Sequence, residues 1–422
     1  MHILIMGQHY APEEVSGAVL ARELAEGLLA RGHQVTFVTA APSYPHGRVF
    51  AGYRNVFLAR EKLNGVNVIR VWSSISPSRS FWSRILNYGT FSLMALAGGL
   101  AAGKVDVMMS ASPPLPLGLS AWLVSRIRRI PWLLRVEDLY PQTAVNAGVL
   151  RNRLAIRFFE RMERFIYQKA AHISLISESF RQNLLAKGIS PLKLSVLPVW
   201  ADPHSIRPLP TKENGFRRTY GLEGKFVLLY AGNLGHTSAL EDVVEAARLL
   251  RDEREIVFVI VGEGVRKTAL QTQALRYGLE NVRFLPYQPR EGYAEALAAA
   301  DVSLVTLNPA ASHTSLPSKI FNIMASARPI LAVADAASEA AAVVQKERCG
   351  VVVPPAQPAL LAETIRALRS RPAQLEEWGS NGRAALEKRY SREACLDAYD
   401  AMFRALSVIS PGDAPQRTTH VS

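Results

Sequence analysis

The stretch HILIMGQHYAPEEVSGAVLARELAEGLLARGHQVTFVTA, residues 2–40, decides the fold. HILIM is a short apolar run, QHYAPEEVSGA is broken by Pro12 and Gly17, VLARELAEGLLA places Leu and Ala at helical spacing, and QVTFVTA is apolar again. Strand, loop, helix, strand is a βαβ opening, with Gly17 near the helix start and Gly32 just past its end. Working outward, VNVIRVW (66–72), VDVMMSA (105–111), PWLLRVEDL (131–139), AHISLIS (171–177) and LKLSVLPV (192–199) are further short apolar runs separated by helical segments. Such runs belong to a largely parallel sheet covered on both faces. Past a linker-like stretch, ADPHSIRPLPTKENG (201–215), a second series follows: KFVLLYAG (225–232), EIVFVIVGEG (255–264), NVRFLPY (281–287), DVSLVTLN (301–308), RPILAVAD (328–335) and CGVVVPP (349–355). The fold class read from this is α/β, two tandem Rossmann-like doubly wound domains facing a cleft. Their expected bounds are 1–205 and 206–410, the last helix being able to pack back on the first domain, with a disordered tail at 411–422. In such sheets ligands sit outside the carboxyl ends of the strands.

The 422 residues suffice for two cores, and 49% apolar with 20% charged residues excludes disordered, collagen-like and coiled-coil chains. Two cysteines, Cys349 and Cys395, are too few for a disulfide framework or a cysteine-ligated metal site. The start MHILIMGQHY has no basic n-region, so no secretory signal is read and a cytoplasmic location is expected. The net charge of +13 is unevenly placed: residues 1–200 hold 23 Lys and Arg against 11 Asp and Glu, residues 201–422 hold 26 against 25. No zinc-finger, RNP or basic-helix pattern accompanies the basic half, so nucleic acid is not expected. Anionic lipid headgroups or a lipid pyrophosphate explain the same charge. Nineteen uncharged residues, ILNYGTFSLMALAGGLAAG, separate Arg84 from Lys104, and another 19 separate Asp106 from Arg126. The first stretch reads as a membrane span, an interfacial helix or plain core; the second as a strand, a PPLPLG turn and a buried helix.

Three strand-end loops of the second half carry candidate chemistry. In LNPAASHTSLPSKIFNIMASARPILAVAD (307–335), a strand ends in a polar loop and a helix starts around Pro317. Ser315, Ser318 and the free N–H groups of that helix start would cradle an anion, Lys319 would add charge, and Asn322, one turn on, could bond a sugar or ribose hydroxyl. The alternative is a capped surface helix with a solvated lysine. VIVGEGVRKTAL (259–270) turns at Gly262 and Gly264 into a helix carrying Lys267, and YAGNLGHTSAL (230–240) turns at Asn233 and Gly235. Glycines there allow backbone to approach a ligand, or make only a tight turn. The three loops should converge. In the first half, LLRVEDLYPQTAVNAG (133–148) puts Glu137 and Asp138 at a strand end, where one carboxylate can face the cleft as a general base, or Asp138 can cap the next helix or pair with an arginine. His9 and Tyr10 end the first strand on the same rim, as acceptor contacts or structural residues. No D-x-D, H-E-x-x-H, G-x-S-x-G or Walker A sequence occurs.

These motifs together, with ISLISESFRQNLLAKGI, LPVWADP and FLPYQP, give a chain that resembles the family-four retaining glycosyltransferases of the GT-B architecture. The bacterial branch that builds capsule, colanic acid and O-antigen repeat units is the most similar. The resemblance implies that the second domain holds a UDP- or GDP-sugar, with Tyr287 and Gln288 at the base, Asn322 at the ribose and Ser315 to Lys319 at the diphosphate. It implies that Gly17 lets a loop approach the donor phosphate and that Asp138 takes the acceptor-side acid position. The family's E-x7-E glutamates would fall at Thr314 and Asn322, and its arginine and lysine after the first strand of the second domain at Asn233 and about Thr237. Its usual asparagine of the P-N-x-x-D element is Val199. Lys319 and Lys267 are expected to supply the missing phosphate contacts. The reading is therefore transfer of a sugar, with retention and without metal or cofactor, to a hydroxyl of a polyprenyl-diphosphate-linked acceptor at the inner membrane face. Asp138 and Lys319 are the catalytic candidates, and His9, Tyr10 and Glu137 the acceptor contacts. The alternative is a nucleotide-sugar-binding partner that has lost catalysis.

Overall fold

The computed structural model describes residues 1–408 except 79, 147, 212, 236 and 310–316. It divides into two compact units, Met1–Pro198 with the chain from Leu396 onward, and Val199–Cys395. The change-over thus falls at Pro198, ahead of the expected 205, and the last helix, Arg392–Val408, is shared between the units. Its second half is anchored to the first unit by Asp397 on Arg31, Asp400 on His33 (2.6 Å) and the Tyr399 hydroxyl on Arg135 (2.6 Å) and Ser174 (3.0 Å). The expected tail, 411–422, lies outside the described residues.

Among the described residues the first unit is built on eight strands: β1 (His2–Met6), β2 (Gln34–Ala40), β3 (Leu58–Leu63), β4 (Val66–Val71), β5 (Val107–Ser112), β6 (Trp132–Val136), β7 (His172–Leu175) and β8 (Leu194–Val196), in the order β3-β4-β2-β1-β5-β6-β7-β8. All pairs are parallel except β3–β4. β3, with sequence LAREKL, is half-exposed at the sheet edge and joins β4 through Asn64-Gly65, both at positive φ. Such a dipeptide between two runs is the turn of a tight hairpin. The strand order reverses between β2 and β5 about β1, which opens a crevice at the carboxyl ends of β1 and β5. The first uncharged stretch forms the helix Phe81–Leu100, and the second forms β5 and the helix Leu117–Arg128. Among the described residues no helix is long and apolar enough to cross a membrane.

Among the described residues the second unit has six parallel strands, β9 (Phe226–Ala231), β10 (Ile256–Val261), β11 (Val282–Leu285), β12 (Val302–Thr306), β13 (Ile330–Val333) and β14 (Gly350–Val353), ordered β11-β10-β9-β12-β13-β14. Alternate residues feed two cores: Val227, Leu229, Val257 and Val259 pack on one face, Leu228, Tyr230, Phe258 and Ile260 on the other. That is why these strands read as unbroken apolar runs. The reversal here lies between β9 and β12, and the loops after those strands flank it.

Candidate functional site

In the second unit the three strand-end loops converge. The Leu234 N–H donates to the Glu263 carbonyl (2.8 Å), the Arg266 N–H to the Leu234 carbonyl (3.0 Å) and the Asn308 N–H to the Thr237 carbonyl (2.9 Å). Gly262 (φ +149°) and Gly264 (φ +156°) make this possible, since a Cβ at either would overlap a backbone carbonyl oxygen, of Gly232 and Leu234 respectively. These glycines serve the packing of loop on loop rather than leaving open room for a ligand. The charges here are mostly spent: Arg266 pairs with Glu241, and Lys267 with Glu263 at 2.6 Å. Lys267, expected to contact a phosphate, is thus held by a neighbouring carboxylate.

Lys319 differs. It opens the helix Lys319–Ala325, with Ser318 exposed at its N-cap, and its ammonium lies 3.7 Å from the centre of the Tyr230 ring. A Cβ on Gly232 would stand 2.9 Å from Nζ, so the glycine is what lets the lysine in. Among the described residues no carboxylate reaches it, and burial lowers its pKa to about 7. Tyr230 is itself fixed by donating to the Asn233 carbonyl (2.8 Å), the Asn233 side chain being exposed. Asn322 holds the Tyr293 hydroxyl at 3.5 Å, while Tyr287 is 53% exposed and acts electrostatically on both Tyr230 and Tyr293. Gln288 donates to the Pro286 carbonyl (3.0 Å), and Pro317 is partly exposed. Ser315 and Leu316 lie outside the described residues. Among the described residues the cluster is a set of exposed and partly exposed polar groups around a lysine that no carboxylate reaches, suited to a phosphate-bearing ligand.

At the carboxyl edge of the first unit, Glu13 is the organiser. It is 2% exposed and accepts the backbone N–H groups of Ser43 and Tyr44 (2.8 Å each) and His9 Nδ1 (2.7 Å), joining the loops that follow β1 and β2. These hydrogen bonds outweigh its desolvation and hold its pKa down. His9 lines a cavity of about 70 Å³ at the β1–β5 crevice and an adjoining groove of about 400 Å³ bounded by Ser43, Tyr44, Arg84, Asn87 and Tyr88. The Gln8 amide donates to the Asn87 side chain, and Asn87 donates to the Ser74 carbonyl (2.8 Å). Asp138 is partly buried and accepts the Thr143 hydroxyl; desolvation raises its pKa, and it acts on Tyr88 and Tyr140 beside the groove. Glu137 lines the small cavity but is bound to Arg135 (2.7 Å). Gly17 is exposed, and a Cβ there would meet nothing within 4 Å.

Tyr10 is a correction: it is 1% exposed, stacks on Phe37 with ring centres 4.2 Å apart, and belongs to the core rather than to an acceptor surface. The sequence reading missed Gln8, Glu13, Arg84, Asn87 and Tyr88. Glu13 lies in the quoted PEE segment, four residues after its His9 partner, while Asn87 and Tyr88 sit inside the stretch read only for its hydropathy.

The sequence profile of the glycosyl transferase 4-like domain matches residues 17–200, and that of the glycosyl transferases group 1 matches residues 213–385. The chain is a family-four GT-B glycosyltransferase. An Escherichia coli (strain K12) relative named for colanic acid biosynthesis glycosyl transfer, WcaI, is 28% identical over 332 residues, 77% of this chain and 81% of its own. Sucrose-phosphate synthase from Thermosynechococcus elongatus has the same fold, with a TM-score of 0.76 at 18% identity over 96% of this chain and 99% of its own. Anabaena HepE in complex with UDP gives 0.73 at 15%, over 96% and 100%. In this glycosyltransferase the 4-like profile thus covers the first unit from Gly17 onward, short of His9 itself, and the group 1 profile covers most of the unit with Lys319.

Proposed function

We propose that this glycosyltransferase takes a glycosyl unit from a UDP-sugar held on the second unit and passes it, with retention, to a hydroxyl of a polyprenyl-diphosphate-linked sugar held by the first. Extracellular polysaccharide or O-antigen synthesis at the inner membrane face is the setting, a reading supported by the WcaI relative and the basic first half. The observation that carries the proposal is Lys319, a cation with no carboxylate partner among the described residues, set where three strand-end loops meet. UDP is preferred over GDP because HepE, of the same fold, binds it. Charge on the departing diphosphate is met by Lys319 and by backbone N–H groups, so no metal is required. With no nucleophile assigned, the departing phosphate oxygen takes the acceptor proton, Asp138 orients the acceptor, and Tyr287, Gln288 and Asn322 contact the nucleoside.

A thermal-shift series with UDP, GDP, ADP, CMP and NAD on the wild type and Lys319→Ala tests the reading. UDP at 100 times its dissociation constant should stabilise by about 2.7 kcal/mol in the wild type alone. A response to NAD only, or one unchanged in the variant, overturns it. Asn322, standing where the family resemblance expects a glutamate, favours the second reading of a binding partner without turnover; UDP release in the presence of acceptor excludes that.

A further inference from the structure

Among the described residues, nothing covers one face of the helix Arg153–Lys169. Arg153, Arg157, Arg161 and Arg164 recur three and four residues apart and are all exposed, forming one stripe. The adjoining stripe carries Leu154, 74% exposed, and Phe158, 59% exposed. The acids offset little of this charge: Glu160 is exposed, but Glu163 faces inward and is bound to Lys187 at 2.7 Å. Single bared apolar residues are ordinary on a soluble surface, but an apolar stripe running beside a row of arginines matches an anionic lipid interface on both counts.

The position of this face adds to the case. The helices Phe81–Leu100 and Arg153–Lys169 precede β5 and β7, strands of a parallel sheet, so their N-terminal turns lie at the carboxyl edge, the edge that carries the groove. Leu154 and Phe158 are in those turns, as are the exposed Trp82 and Leu86, which alternate with the groove residues Ser83, Arg84 and Asn87. Phe158 packs edge-on against Phe159, and Phe159 against Tyr140, two residues past Asp138.

We infer that the exposed face of the helix Arg153–Lys169, together with the apolar rim at Trp82 and Leu86, seats on an anionic bilayer surface. The groove then opens at headgroup level, and a lipid-borne acceptor meets it without leaving the membrane. The docking deepens the reading of a lipid-linked acceptor but does not depend on glycosyl transfer.

Flotation of the full chain with vesicles of equimolar phosphatidylcholine and phosphatidylglycerol, and with phosphatidylcholine alone, tests it without any nucleotide. The wild type should float with the anionic vesicles only, and less as salt is raised. Arg157→Gln with Arg161→Gln and Arg164→Gln should weaken vesicle affinity by at least about tenfold. Leu154→Ser with Phe158→Ser should remove the part that survives high salt. All five positions are exposed, so the melting temperature should fall by no more than a few degrees in either variant. No flotation of the wild type, equal flotation on neutral vesicles, or unchanged flotation of both variants overturns the inference. So does a concentration-dependent dimer abolished by the same substitutions without vesicle binding, which assigns the face to a second copy. UDP binding without flotation would leave the transfer reading standing and remove only this one.

Discussion

Lys319 sets the most direct expectations of any side chain. Its pKa, about 7 in the folded protein against the ordinary value of 10.5, means that charging it opposes folding. The unfolded chain binds the extra proton between those values, so stability rises with pH across that window. Lys319→Met should therefore stabilise the ligand-free protein at pH 7, by about 1–3 kcal/mol, while abolishing the UDP response; urea melts with and without UDP read both. A bound diphosphate keeps the proton on the lysine, so UDP affinity should be full below pH 7 and fall above it by up to about tenfold per unit, measured by calorimetry from pH 6.5 to 9. Glu13 runs the other way. Its folded pKa is depressed, so its contribution exists above the unfolded carboxyl value and is lost as pH falls through the folded one. Glu13→Gln should cost about 1–3 kcal/mol near neutrality and flatten the acid limb of a stability-against-pH curve. The Lys267–Glu263 pair was readable in the sequence, since four-residue spacing on a helix entry brings such charges together. The Gln8–Asn87 bond was not, because it joins residues 79 apart that only the sheet order makes neighbours.

At the scale of elements, central strands such as β9 and β10 were legible because a strand buried on both faces leaves no polar alternation to confuse its reading. β3 was not: LAREKL alternates in and out at an edge, and only the Asn64-Gly65 turn announces it. The helix near Pro317 was legible in kind, yet it is short, Lys319–Ala325, and what makes it useful is the contact of Lys319 with Tyr230 and Gly232, which no spacing encodes. Glycines separate into two classes by what surrounds them. Gly262→Ala drives a methyl into the Gly232 carbonyl at a positive φ and should cost more than about 2 kcal/mol in a denaturant melt. Gly17→Ala adds a methyl to empty space in the helix Ser16–Ala30 and should leave stability within about 0.5 kcal/mol or raise it. Lost UDP release at unchanged stability would show that the space at Gly17 belongs to a ligand; full activity in Gly17→Ala would withdraw that role.

For the whole molecule, the two units should respond separately to separate perturbations. Ending the chain before Leu396 removes Asp397, Tyr399 and Asp400 and bares Gly27, which packs on Leu396. In calorimetry this should lower the transition of the first unit by several degrees and leave the UDP-dependent rise of the second intact; loss of both at once would mean that the units melt together. Tyr399→Phe, which strips the buried hydroxyl from Arg135 and Ser174, should produce about 1–2 kcal/mol of the same effect. The first unit is discontinuous in the chain, leaving at Pro198 and returning at Leu396. On the ribosome that reverses the usual order of maturation. The unit synthesised first stays unfinished until the segment from Leu396 has emerged, whereas the inserted unit has its last residue, Cys395, just before that segment begins. A pulse-protease experiment on chains stalled just past Cys395, with a linker long enough to clear the ribosome, should find the Lys319 unit resistant while the His9 unit is still being cut, and a chaperone that protects this protein at that stage should be found on its N-terminal segment.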